Sequence, residues 1–309
     1  MYMKNYVKML RIDHWIKNLF ILPGFLLGYL IFDLGFELKC LINLLIALLA
    51  SSLIASANYL INEWLDRHND AKHPDKKDRP AVSGKIKFKF VLVLYIILIV
   101  SGLFLSFKLN IYCFWACLAF AISGLIYNVK PIRAKDIRIL DVIVESFNNP
   151  IRMYIGWFAL SIEALIPLSL IFSYWFFGAF LMNCKRITDF KKFDDNQSRK
   201  LFRPSLGDYT LNQLYVIALI YSTLSTSFFM TFAVRYKIEM IILLPMIVMV
   251  YSLYFLNCMS DESVAAEPEK IMKSRKFMYL SIFIALLFYF LLRVDMPFLD
   301  EIIFYAFNL

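Results

Sequence analysis

Residues 58–84 read NYLINEWLDRHNDAKHPDKKDRPAVSG, a charged run that starts inside an apolar segment, Leu41 to Ile61. Asn58, Asn62, Asp66 and Asp70 recur every four residues. With 3.6 residues per helical turn, they form one slowly drifting stripe along a helix. The stripe offers only carboxylate and amide groups, with Glu63 beside it as a third carboxylate. Hard oxygen donors of this kind suit Mg²⁺, which takes one or two carboxylates and completes its shell with water and substrate phosphate. Lys72, Lys76, Lys77 and Arg79 follow at once. Acid for a metal followed by base for phosphate is what a diphosphate site requires. A solvated juxtamembrane helix is the plainer reading. Against it, the two asparagines lie within or at the end of the apolar run, where polar groups are costly. The acids also come first, at the membrane side, and are not mixed with the bases.

Working outward, the rest of the chain is apolar enough to hold this stretch in a membrane. Hydrophobic residues make up 61% and aromatics 17% of the 309 residues, and the mean hydropathy is +0.64. Runs long enough to span a bilayer fall at about 19–36, 40–61, 88–107, 111–127, 139–160, 165–184, 211–234, 238–257 and 277–292. The expected fold is therefore all-α: a polytopic membrane protein of about nine transmembrane helices, a single integral-membrane domain over 1–309. The short apolar stretch 296–309 is expected at the interface. The basic amino-terminal tail runs into a segment of spanning length, so it does not read as a cleavable signal.

Lys and Arg set the orientation. The amino-terminal tail and the loops after the even-numbered helices carry 27 of the 33 basic residues; the opposite side carries five, and Arg152 lies within helix five. The amino terminus and the long polar loops are therefore expected in the cytoplasm and the carboxyl terminus outside. The net charge of +9 then sits on one face, where it favours anionic lipid or a phosphorylated substrate. Nucleic acid is a poor partner, because the basic residues are dispersed among hydrophobic anchors. Cys40, Cys113, Cys117, Cys184 and Cys258 have no zinc-like spacing and read as small packing residues.

Further polar groups cluster at the same expected face. Lys17 stands at the mouth of the first span, within reach of a phosphate at the membrane surface. Tyr127, Lys130, Arg133 and Lys135 follow the fourth helix, where Pro131 breaks it. Asp141, Glu145, Asn148 and Arg152 recur at three or four along the fifth, a stripe that faces a cavity or a neighbouring helix and not lipid. Internal ion pairing is the competing reading of that stripe. Lys185, Arg186 and Asp189, with Asp194 and Asp195 beyond, form a second acid-and-base cluster after the sixth helix.

With these residues in view, the chain resembles the UbiA superfamily of intramembrane prenyltransferases. The first Asp-rich motif of that family matches Asn58, Asn62, Asp66 and Asp70, with Glu63 in place of an Asp. Its ArgPro…SerGly element matches Arg79, Pro80, Ser83 and Gly84, and its Tyr and Lys after helix four match Tyr127 and Lys135. HisProAspLys at 73–76 before ArgPro, LeuArg…TrpIleLysAsn at 10–18 and LysArg at 185–186 resemble the decaprenyl-phosphate phosphoribosyltransferase branch. The resemblance implies a UbiA-like bundle with a cytoplasm-facing cavity, in a bacterial plasma membrane. It implies Mg²⁺ held by Asn62, Glu63, Asp66, Asp70 and Asp189. Phosphoribosyl diphosphate would be the donor and a polyprenyl phosphate the acceptor. Lys17, Asn58, His73, Lys76, Arg79, Tyr127, Lys130, Lys135, Arg152, Lys185 and Arg186 would bind substrate, and Asn62, Asp66 and Asp70 would carry the chemistry. The alternative within the family is prenyl transfer from a polyprenyl diphosphate to an aromatic acceptor such as 4-hydroxybenzoate. A lipid-binding or transport protein is the non-enzyme alternative. Transporters show paired broken helices, whereas Pro150 has no counterpart in the other half of the chain.

Overall fold

In a computed structural model the chain is described over residues 2–35, 37–71, 76–83, 86–260 and 275–299. Among these, every regular element is a helix. The first are α1 (Tyr2–Met9), a 3-10 segment (Ile12–Ile21), α2 (Leu22–Ile31), α3 (Leu38–Asp70), α4 (Phe88–Leu109) and α5 (Ile111–Asn128). Then come α6 (Leu140–Ala159), α7 (Leu168–Lys191), α8 (Asn196–Phe202), α9 (Leu211–Tyr236), α10 (Leu244–Met259) and a last helix, α11 (Arg275–Arg293).

Among the described residues, seven segments are long and apolar enough to cross a membrane: Asn5–Ile31, Leu38–Asp70, Phe88–Leu109, Ile111–Asn128, Leu168–Lys191, Leu211–Tyr236 and Ile238–Met259. They correspond to seven of the nine expected spans. The other two expected spans also fall on helices, 139–160 on α6 and 277–292 on α11. α6 is diluted by Asp141, Glu145 and Arg152, and the apolar part of α11, Met278–Arg293, is short. Large apolar side chains stand exposed along α4, among them Phe90, Ile97, Val100, Phe104 and Phe107. Such a face would be an aggregation site in water and fits hydrocarbon. These helices mark an integral membrane protein. The stretch 300–309 lies outside the described residues.

The chain divides into two compact units. The first comprises residues 1–165 and 195–208. Its axis is α3, 33 residues long and so about 50 Å at 1.5 Å per residue. α4 and α5 pack along α3, and α6 packs between α5 and α2. α2 and α6 meet backbone to backbone. A Cβ on Gly156 would lie 2.0 Å from the Ile21 carbonyl oxygen, and one on Gly24 would lie 1.8 Å from that of Met153. Only glycine allows this approach. Met9, Ala57, Leu60, Ala81, Ile86, Val91 and Leu98 form a buried cluster. Through Ala81 and Ile86 it pins the polar loop after α3 against α3 and α4, which fixes where the basic residues of that loop stand.

The second unit comprises residues 166–194 and 209–309. α7 and α9 pack through Phe172, Phe176, Tyr221 and Phe228 and a hydrogen bond from Ser225 Oγ to the Ser173 carbonyl, 2.7 Å. Phe180 of α7 sits against Tyr251 and Tyr254 of α10. Thr210 and Gln213 form a capping box that starts α9.

Candidate functional site

The polar end of α3 lies within the first unit. It runs there as regular helix to Asp70, and Asn62, Asp66 and Asp70 each meet a partner from the end of α5, the turn after it or the loop after α3. Asn62 Nδ2 donates to Asn128 Oδ1 at 2.6 Å, and Asn128 Nδ2 donates to the Gly124 carbonyl at 2.9 Å. Lys135 Nζ donates to Asp66 Oδ1 and Oδ2, both at 2.6 Å, and to Asn128 Oδ1 at 3.2 Å. Arg133 Nη2 donates to Asp66 Oδ1 at 2.8 Å and its Nε to Asp136 at 2.5 Å. One turn on, Arg79 Nη1 donates to Asp70 Oδ2 at 2.6 Å. The two carboxylates of the stripe are thus charge-compensated by three cations.

These charges sit in partly dry surroundings. Burial pulls the Lys135 ammonium below its ordinary value, offset in part by Asp66. Burial also opposes the Arg133 charge, yet Asp136 and Asp66 together hold it above its usual value. Burial pushes Lys76 down to about 8; Asp70 opposes the shift, while Arg79 and Arg203 add to it. The Lys76 ammonium stands 5.3 Å from the centroid of the Phe202 ring.

Glu63, expected among the metal ligands, is held by the loop after α3 and by Arg11. It is buried, with Oε1 accepting from the Ala81 N–H at 3.2 Å and Oε2 lying 3.5 Å from Arg11 Nη2. Both oxygens are turned to the loop and to Arg11. Glu63 ties the Arg79–Pro80 turn to α3, a demand that a buried carboxylate has to meet. Asn58 donates to the Phe120 carbonyl at 3.3 Å and fills the space left by the missing side chain of Gly124. His73 lies outside the described residues.

The polar stripe of α6 is satisfied at both ends. Arg152 Nε donates to Asn18 Oδ1 at 3.0 Å, its guanidinium lies 4.5 Å from the Phe120 centroid, and Asn18 donates to Ser52. Tyr127 donates to Glu145 Oε2 at 3.0 Å and accepts from Arg203 Nη1 at 3.2 Å. Asp141, fully buried, accepts from Ser205 at 3.1 Å and lies 3.7 Å from Arg203. Lys130 is exposed at the turn, and Lys17 is half-buried on the 3-10 segment.

In the second unit, Lys185 is half-buried, Arg186 is fully buried, and Asp189, also buried, accepts from Lys192 at 3.0 Å. Asp195 belongs to the first unit and caps α8, accepting from the Ser198 N–H at 2.8 Å. Arg203 and Asn128 are members of the first unit's network that the motif reading left out. Arg203–Pro204, echoing Arg79–Pro80, was the available signal for the first of them.

The donor set fits magnesium in one way only. Among the described residues no three His, Cys, Asp or Glu side chains gather as a ready cage. Asp66 and Asp70 supply two carboxylates one turn apart, which is what Mg²⁺ takes when substrate phosphate supplies the rest.

Comparison with known proteins agrees with this frame. A digeranylgeranylglyceryl phosphate synthase of Saccharolobus solfataricus is 34% identical over 134 residues, 43% of this chain and 44% of the relative. A protoheme IX farnesyltransferase of Listeria welshimeri is 28% identical over 40% of each chain. The chain thus spans less than half the length of these curated relatives. A UbiA homologue from Archaeoglobus fulgidus, solved with GPP and Mg²⁺ bound, superposes with a TM-score of 0.70 at 19% identity, covering 94% of this chain and all of that one. That likeness speaks to the fold. Residues 19–287 match the family model described as the UbiA prenyltransferase family, and this chain belongs to that family.

Proposed function

We propose that the protein transfers 5-phosphoribose from phosphoribosyl diphosphate to a polyprenyl phosphate, releasing diphosphate. The observation that supports this reading is the charge at the rim of the first unit. Arg79, Arg133 and Lys135 pair with Asp66, Asp70 and Asp136, Arg203 lies against Asp141, and Lys76 adds positive charge beside Asp70. A prenyl diphosphate brings one diphosphate and an apolar tail. Phosphoribosyl diphosphate is soluble and brings a further phosphate, which a rim of this many basic groups suits.

Asp66 and Asp70, with the Asn62 amide oxygen, are the residues to hold magnesium. When bound, the metal supplies charge neutralisation on the departing diphosphate. Lys135 and Arg133 hold the Asp66 carboxylate in place. Arg79 does the same for Asp70, and these cations are the donors that would meet the phosphate oxygens. The C1–O bond of the donor breaks with oxocarbenium character, the lipid phosphate oxygen attacks C1, and diphosphate leaves with the bond's electron pair. Positioning and charge stabilisation carry the rate, with no covalent enzyme intermediate. On this reading the rim faces the cytoplasm, the side that the distribution of Lys and Arg favours, and a soluble donor is available there.

A second reading is prenyl transfer to an aromatic or other acceptor. It draws on the names of the curated relatives and on the prenyl diphosphate bound by the Archaeoglobus fulgidus homologue. The same carboxylates would serve it. The assay offers purified protein and Mg²⁺ either labelled phosphoribosyl diphosphate with polyprenyl phosphate, or polyprenyl diphosphate with labelled 4-hydroxybenzoate. The expected result is labelled lipid from the first mixture. Labelled lipid from the second mixture alone overturns the donor assignment and leaves the metal site standing.

A further inference from the structure

The loop after α3 is held to one face of that helix at two levels. Arg79 Nη1 donates to Asp70 Oδ2 at 2.6 Å. Slightly further on, the Ala81 N–H donates to Glu63 Oε1 at 3.2 Å. Glu63 and Asp70 are seven positions apart, and that spacing puts them about two turns apart on nearly the same face. The segment 79–81 therefore runs back along α3 with the two carboxylates as its fixed points. Its backbone is closed by turn hydrogen bonds, from the Arg79 N–H to the Lys76 carbonyl at 3.1 Å and from the Val82 N–H to the Arg79 carbonyl at 3.0 Å. Holding Ala81 thus also holds Arg79. Glu63 is only 2% exposed, and a buried carboxylate needs a matching charge. Arg11 supplies it, with Nη2 3.5 Å from Glu63 Oε2. Arg11 has a φ of 47° and a ψ of 54°, the left-handed region that residues other than glycine rarely adopt. Such a conformation persists where the surroundings enforce it. Here Ser56 Oγ of α3 donates to the adjoining Leu10 carbonyl at 2.8 Å and accepts from Trp15 Nε1 at 2.9 Å.

We propose that Glu63, backed by Arg11, is a positioning residue that sets the Arg79–Asp70 clamp and, through it, the affinity of the site for magnesium diphosphate. The proposal deepens the functional reading above and rests on its assignment of Asp66 and Asp70 to the metal-bound diphosphate. The length of the side chain is part of the device. Aspartate at this position is one methylene shorter and leaves the Ala81 N–H and Arg11 beyond hydrogen-bond reach. Glutamine keeps the length and the acceptor for Ala81, and Arg11, 21% exposed, can turn to water. A metal ligand behaves in the opposite way, because aspartate keeps the anionic oxygen and glutamine loses it.

The test is calorimetric titration of inorganic diphosphate into the full-length protein in nanodiscs at saturating Mg²⁺, with thermal unfolding measured alongside. Glu63→Asp should weaken binding by at least about tenfold, which is about 1.4 kcal/mol. Glu63→Gln should stay within about twofold on the same scale. Arg79→Gln should weaken binding too, and in that background Glu63→Asp should add no more than about twofold, because its effect passes through Arg79. Glu63→Met keeps the volume without a carboxylate; it should match Glu63→Asp and decides the matter if the aspartate variant does not fold. Loss of affinity in Glu63→Gln with retention in Glu63→Asp makes Glu63 a metal ligand and overturns the proposal. Fully additive losses with Arg79→Gln overturn it as well, and so do lowered melting temperatures with unchanged affinity, which a merely structural role gives. Wild-type protein that binds no diphosphate with magnesium removes the metal-site reading and the proposal together. Absence of phosphoribosyl transfer in the preceding assay, with these affinities as expected, removes only the donor assignment.

Discussion

At the scale of a single residue, the proposed function gives Lys76 a role that ties protonation to substrate binding. Its ordinary value is 10.5, and burial brings it to about 8. The charged form attracts phosphate and the neutral form does not, so attraction is present below about 8 and is lost as pH rises through it. The pH profile of kcat/KM reports the free enzyme. We expect kcat/KM for the diphosphate donor to fall above about pH 8 on this limb, and Lys76→Arg to remove that fall, since guanidinium stays charged. An unchanged alkaline limb in Lys76→Arg contradicts the role given to Lys76. At this scale the sequence was informative where residues share one helix. Four-residue spacing placed Asn62, Asp66 and Asp70 on one stripe, and the ArgPro signal placed Arg79 beside it. It was less informative across gaps. Glu63 follows Asn62 directly, yet the backbone N–H of Ala81 and the charge of Arg11 claim it. Arg203 reaches Tyr127 and Asp141 from more than sixty residues away in sequence, and no periodicity encodes that meeting.

Among elements, the α2–α6 and α3–α5 contacts decide how firmly the site is held. A Cβ on Gly156 would lie 2.0 Å from the Ile21 carbonyl oxygen, which is backbone and cannot swing aside. A Cβ on Gly124 would lie 2.1 Å from the Asn58 side chain, which can rotate away. Overpacking costs about 1–3 kcal/mol, and Gly156→Ala should fall at the upper end and Gly124→Ala at the lower. Gly124→Ala should in addition lower activity, because Asn58 heads the stripe. Thermal unfolding in detergent, run beside an activity assay, checks both; equal melting shifts with full activity in Gly124→Ala would count against this packing account. The polar stripe of α6 was legible as non-lipid-facing, and its partners were not. Both of the readings it allowed have some place in the structure: Arg152 rests on Asn18 and Phe120, while Asp141 meets Ser205 and Arg203. The apolar runs coincide with α2 to α7 and α9 to α11, because hydrocarbon demands continuous helix, and they did not mark the short α1 and α8. Glycine contacts such as Gly24 and Gly156 were silent in the sequence, since their meaning depends on which helix lies opposite.

For the whole molecule, the expected orientation rests on the basic residues and the proposed chemistry on the α3 stripe. The split of 27 to five predicts residue 76 in the cytoplasm and residue 296 outside, with an odd number of spans. Single cysteines at these positions in a cysteine-free background should be labelled in intact cells by an impermeant reagent at 296 and not at 76. Labelling at 76 from outside reverses the orientation. The central claim is that Asp66 and Asp70 hold a metal-bound diphosphate leaving group. Its most direct measurement is the rate of diphosphate release by purified protein across a magnesium titration, in the wild type and in Asp66→Asn and Asp70→Asn. Each substitution keeps the size of the side chain and removes an anionic ligand. The account predicts release that requires magnesium and falls at least about 100-fold in each variant, about 2.7 kcal/mol of transition-state stabilisation, while both variants purify as folded protein. Release that continues in EDTA, or that survives both substitutions, contradicts it.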